Sequence, residues 1–118
     1  MRPTLAAALF LFVLAAPSSA AASGDAVDEA YARGTQAAAD GDWSRAANAW
    51  EDARRILPET SPQLSYDLGT AYAHLGELGY ATIHLERARR AEPALEEDAR
   101  RNLAIVRRRA EIAAAAES

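Results

Sequence analysis

The side chains best suited to chemistry are two histidines, a run of acids and a group of arginines. His74 and His84 lie ten positions apart, without the His-x-x-x-His spacing that puts two ring nitrogens on one metal. They read as two separate surface histidines. Glu96, Glu97 and Asp98 are consecutive. On a helix, successive residues point in different directions, so this run suits a helix start better than an acid–base pair or a metal site. The glycines follow no phosphate-loop pattern. No catalytic residue, metal site or cofactor is expected. Arg100, Arg101, Arg107, Arg108 and Arg109 are the candidates for a basic face, solvated or set against an acidic protein segment.

These residues need a frame, and composition indicates which. The chain has 118 residues, half of them hydrophobic and a quarter charged. That length suits one domain. Alanine dominates the apolar half, which favours helices packed through small side chains. Lysine is absent, so all 13 basic residues are arginine, and cysteine is absent too. The chain therefore carries no disulfide, thiol nucleophile or cysteine-ligated zinc. A formal charge of −4 argues against general nucleic-acid binding.

The N-terminus has the layout of a secretory signal. Met1-Arg2 is followed by an apolar run from Leu5 to Ala16, then Pro17 and small residues through Ser23. The run is too short for the roughly 20 residues that span a bilayer. Cleavage after Ala20 or Ala22 is expected, giving a signal peptide over residues 1–22. The exported chain, in a bacterial periplasm, would lose Arg2 and keep 12 arginines against 17 acids. No later segment resembles a membrane span.

The remainder repeats. Shifting the chain by 35 residues brings Tyr31 onto Tyr66, Gly34-Thr35 onto Gly69-Thr70, Ala38 onto Ala73 and Gly41 onto Gly76. It also brings Ala46 onto Ala81, Glu51 onto Glu86, Ala53 onto Ala88, Arg54-Arg55 onto Arg89-Arg90 and Pro58 onto Pro93. Such a period marks stacked supersecondary units. Leu64, Leu68, Ala71, Tyr72 and Leu75 form one helical stripe, Gly76 breaks it, and Ala81, Leu85 and Ala88 form a second stripe before Pro93. Each unit is therefore two helices, with proline closing the second. Small residues at 34, 46, 53, 69, 81 and 88 let the paired helices approach. Trp50, Tyr72 and Leu85 fill the space beside them.

The chain resembles the tetratricopeptide repeat family. Unit two carries Leu68-Gly69, Tyr72, Ala81, Leu85, Ala88 and Pro93 at that family's spacing. Unit one carries Gly34, Ala46, Trp50, Ala53 and Pro58, but has Arg33 and Ala37 where the family prefers Leu and Tyr. The stretch Tyr66–Gly79, and the later Ala99–Ala104, also resemble the repeat region of aerotolerance-operon proteins of the BatE type. The expected fold is all-α: a short α-α superhelix with unit one over about 26–60 and unit two over about 61–94. A capping helix over about 94–113 follows from Leu95, Ala99, Leu103, Val106 and Ala110, and residues 114–118 form a frayed tail of a domain spanning 23–113.

What the resemblance implies for function is a concave groove lined by the first helix of each unit, holding a protein or peptide partner. It would show Tyr31, Thr35 and Ala38 from unit one, and Gln63, Tyr66, Thr70, Ala73 and His74 from unit two. Tyr and Thr replace the Lys and Asn of the family's carboxylate-gripping members, so that activity is not implied. Two functions follow as expectations: a non-catalytic scaffold, or a self-associating subunit of an envelope complex.

Overall fold

Small residues placed where helices cross dictate the architecture. The computed structural model describes residues 19–57 and 59–118. The expected signal segment lies outside them as far as residue 18, and Pro58 lies outside as well. The described residues form five α-helices: α1 (Ser19–Ala39), α2 (Trp43–Ile56), α3 (Pro62–His74), α4 (Leu78–Ala91) and α5 (Glu96–Glu117). A 3-10 turn over Pro93–Leu95 links α4 to α5. No strand occurs among the described residues. Helices α1 and α2 pack as one hairpin, α3 and α4 as another, while α2 packs on α3 and α4 on α5. The result is a short all-α superhelix.

Both hairpins turn by the same device. Gly41 adopts φ 75° and Gly76 φ 77°, a left-handed conformation that glycine enters without a Cβ penalty. In the first turn Asp42 N–H donates to Ala37 O at 2.9 Å and Gly41 N–H to Ala38 O at 3.0 Å. In the second, Glu77 N–H donates to Tyr72 O at 2.9 Å and Gly76 N–H to Ala73 O at 3.2 Å. This is the Schellman closure, which satisfies the last carbonyls of a helix. Asp42 then caps α2, its carboxylate accepting from Arg45 N–H at 3.1 Å. Ser61 caps α3 by accepting from Leu64 N–H at 3.1 Å, with Pro62 in the first turn.

Within each hairpin a glycine meets a large side chain. A Cβ on Gly34 would run into the Trp50 indole; one on Gly69 would lie 2.6 Å from Leu85 Cγ. Ala46, Ala53, Ala81 and Ala88 are fully buried. Leu64, Leu68 and Ala71 join the core of α1 and α2, and Leu103 and Val106 join Ala81 and Leu85 of α4.

Two boundaries differ from expectation. Helix α1 begins at Ser19, ahead of unit one, and α5 continues to Glu117 where the sequence predicts a frayed tail after Ala113. Runs of alanine explain both, because alanine sustains a helix with little tertiary support. The ends of the stack are polar. Arg33, Arg45, Asn48 and Asp52, together with Ala37 and Ala49, line a shallow hollow at the α1–α2 end. At the other end, exposed Arg100 and Arg107 stand in α5 where Ser65 and Tyr72 stand in α3. Such faces end a repeat stack in water. No described helix is long and apolar enough to cross a membrane.

Candidate functional site

Helices α1, α3 and α5 share one register, 35 residues apart, and their side chains meet along a groove. The hydroxyl of Tyr31 on α1 donates to Asp67 on α3. One repeat later, Asn102 on α5 donates its amide N–H to the Tyr66 hydroxyl at 3.0 Å and to Thr70 Oγ1 at 3.4 Å. Asp67 and Asn102 are therefore equivalent positions. The threonines repeat as well: Thr35 Oγ1 donates to Tyr31 O at 3.1 Å, and Thr70 Oγ1 to Tyr66 O at 2.9 Å. Removing the side chain at position 34 lets Trp50 reach α1, where its indole N–H donates to Tyr31 O at 3.2 Å.

Two adjoining depressions result, sharing Thr70. One, of about 250 Å³, is lined by Tyr31, Thr35, Ala38, Trp43, Trp50, Tyr66, Asp67 and Thr70. The other, of about 120 Å³, is lined by Thr70, Ala73, His74, Asn102, Ile105 and Arg109. Trp43 and His74 stand between them, stacked flat with ring centroids 3.9 Å apart and planes 2° apart. Each depression is smaller than the about 300–1,000 Å³ of a usual small-molecule pocket, which favours a surface for side chains of an extended ligand.

The expected groove residues thus divide between the two depressions. Tyr31, Thr35, Ala38, Tyr66 and Thr70 fall in the first, Ala73 and His74 in the second. Gln63 sits at the edge, its side chain donating to Asp67 Oδ1 at 3.1 Å. Sequence reasoning missed Trp43, Asp67, Asn102 and Ile105. Asp67 and Asn102 had a usable signal: they are 35 residues apart, next to the tyrosine register.

Charge is distributed unevenly along the groove. Burial raises the Asp67 carboxyl above the usual aspartate range, although hydrogen bonds from Tyr31 and Gln63 pull the other way. Tyr31 is raised by its own burial and by Asp67. At the far end Arg109 donates to Ala73 O at 2.9 Å. Burial lowers His74, and the Arg109 charge lowers it further.

The arginines of α5 do not make one basic face. Arg101 pairs with Glu97 at 3.2 Å and Asp98 at 3.4 Å, Arg107 with Glu86 at 3.9 Å, and Arg108 with Glu111 at 4.0 Å. Arg109 turns into the groove, and Arg100 stays exposed. Helical geometry explains the division, because consecutive residues diverge by about 100°.

His84 is also placed differently from expectation: it is 5 % exposed, not a surface residue. It stacks on Tyr72, with centroids 5.6 Å apart, and its Nδ1 has no hydrogen-bond partner among the described residues. Tyr72 donates to Glu51 Oε1 at 2.8 Å, and Arg54 to Glu51 Oε2 at 2.6 Å. Burial pushes Tyr72 up to about 12, with Glu51 adding to the effect. Burial also pushes Glu51 upward, but hydrogen bonds from Arg54 and Tyr72 and the charges of Arg54 and His84 outweigh it, leaving Glu51 below its usual range. His84 is lowered, chiefly by burial. The group ties α2 to α3 and α4 and is separate from the groove.

Among the described residues no group of three His, Asp or Glu side chains converges as a metal-ligand set. Comparison with protein-family models, curated proteins and solved structures gives no match.

Proposed function

We propose that this chain is a non-catalytic interaction module of the tetratricopeptide type, exported, which holds an extended peptide segment of a protein partner in the α1–α3–α5 groove. The observation that carries the reading is the shared register of the three helices. It brings Tyr31, Thr35, Ala38, Tyr66 and Thr70 to one aromatic depression and continues into a second through Thr70. Tyrosine and tryptophan at such a surface offer large apolar area with a polar tip, the chemistry of binding hot spots. Export rests on the residue pattern of positions 1–22. N-terminal sequencing of the protein from its producing cell tests it: a start at Ala21 or Ser23 is expected, and Met1 would contradict it.

The alternative, a subunit that completes its stack by self-association, gains less support. Charged side chains stand at both ends where another unit would dock: Arg33, Arg45 and Asp52 at one, Arg100 and Arg107 at the other. A groove-blocking variant tests the leading reading. Thr35→Arg, at an exposed α1 position lining the first depression, should abolish partner capture and leave the melting temperature within a few degrees of the parent. Capture retained in full by a folded Thr35→Arg protein would refute the groove.

A further inference from the structure

We propose that the depression between α1 and α3 is a cation subsite, receiving the guanidinium of an arginine side chain on the bound peptide with Asp67 as its counter-charge. The proposal rests on the groove reading and adds the chemistry of the ligand to it. Three half-buried aromatic residues, Tyr31, Trp43 and Tyr66, line the depression together with the Asp67 carboxylate, and the buried Trp50 lies beneath them. Aromatic faces attract cations, and arginine above all, because its flat, weakly hydrated guanidinium stacks on rings.

Asp67 is the more telling residue. It is withdrawn from full solvent, yet its hydrogen-bond partners are neutral: the Tyr31 hydroxyl and the Gln63 amide. Among the described residues no Arg or His lies within ion-pair distance of it. A carboxylate held away from water without a cation is costly. Its two oxygens each accept one hydrogen bond here and each have a lone pair left. A guanidinium fork can satisfy both at once.

The molecule supplies its own control. Asn102 occupies the equivalent position one repeat on and links α5 to Tyr66 with a neutral amide. Linking a helix to the tyrosine before it therefore does not require a negative charge. The charge at position 67 is surplus to the fold and sits where a ligand would meet it. Arg109 in the adjoining depression carries the opposite sign and discourages a cation there, which confines the subsite to the Asp67 end.

The test uses the two tryptophans, Trp43 and Trp50, both of which line the depression. The probes are capped tripeptides Ala-X-Ala with X as arginine, lysine, citrulline, glutamate or alanine, titrated against the full chain while the indole N–H resonances are followed. The arginine peptide should shift both indoles saturably, bind more tightly than the lysine peptide, and weaken as salt is raised. Asp67→Asn, which copies the Asn102 arrangement, should weaken the arginine peptide about tenfold or more, with a melting temperature no lower than the parent's. Equal binding of citrulline and arginine, or arginine binding unchanged in Asp67→Asn or insensitive to salt, would overturn the cation subsite. Lysine matching arginine would overturn the choice of guanidinium. Alanine and glutamate peptides that shift the indoles as well as arginine does would overturn the subsite while leaving the groove standing. Silence from every peptide would overturn the subsite, and the groove is then judged by partner capture with Thr35→Arg.

Discussion

Asn102 stands to Tyr66 as Asp67 stands to Tyr31: a side chain on the following helix meets the tyrosine hydroxyl of the one before. The two contacts lie one repeat apart and set α1, α3 and α5 in line. The contacts differ in direction and in charge: Tyr31 donates to the Asp67 carboxylate, whereas Tyr66 accepts from the Asn102 amide, and the charge has a consequence for stability. Because burial raises the Asp67 carboxyl in the folded chain, the folded state holds that proton more tightly than the unfolded one. Stability from this group is therefore greatest below the ordinary value of 3.8 and declines as pH rises through the raised folded value. Asp67→Asn should remove that decline and melt at or above the parent at pH 7. Denaturant titrations of both proteins from pH 4 to neutrality check it; a parent and variant with parallel pH profiles would contradict it.

His84 contributes with the opposite sign. Its folded value is lowered below 6.5, so the unfolded chain takes up the proton first. The stability involved is present above about pH 6.5 and lost as pH falls through the folded value. Glu51 faces it from α2, with Arg54 on α2 and Arg87 on its own helix also in range. His84→Phe keeps a ring against Tyr72 and should flatten the fall in melting temperature between pH 7 and pH 5. An unchanged slope would place the acid sensitivity elsewhere.

The glycines offer a paired test. Gly34→Ala and Gly69→Ala each force a methyl into Trp50 or Leu85 and should destabilise by about 1–3 kcal/mol through overpacking. Gly79→Ala lies in α4 with open space around it and should stabilise by up to about 1 kcal/mol. Ala46→Leu and Ala81→Leu, at positions with no exposed surface, should behave like the first pair. Urea unfolding of the set checks it. Equal effects at Gly69 and Gly79 would contradict the close crossing of α3 and α4.

Leu103 anchors α5 to α4 and is 2 % exposed. Leu103→Ala should cost about 2–5 kcal/mol. It should also free α5 before the hairpins unfold, seen as early amide exchange in α5. Uniform exchange throughout the chain would argue that the stack unfolds as one unit.

Much of this architecture was legible in the residues, and the reasons are specific. The helix-pair units could be read because the 35-residue identities fall on glycines and alanines whose size is dictated by packing, as at Gly34 with Trp50 and Gly69 with Leu85. Gly76, which interrupts the stripe of unit two, and its repeat counterpart Gly41 marked the turns. The groove was partly legible, since Tyr31 and Tyr66 repeat as identities. Asp67 and Asn102 were not, because their equivalence is one of position and not of type, and α5 carries few identities to either earlier unit. The burial of His84 was hidden for a similar reason. Its counterpart in unit one is Ala49, so the repeat gave no hint that a ring belonged there. Trp43 aligns with Leu78, and only the packed structure brings it against His74.

Photo-crosslinking shows whether the groove is the binding surface. A photo-reactive residue replaces Thr35 in the groove, and a second protein carries it at Arg108 on α5 outside both depressions. Both are illuminated in the producing cell and adducts are identified by mass spectrometry. A discrete heterologous adduct is expected at position 35, absent at position 108 and lost when Ala38→Arg is added. Adducts with a second copy of the chain alone, or the same adducts from both positions, would contradict it.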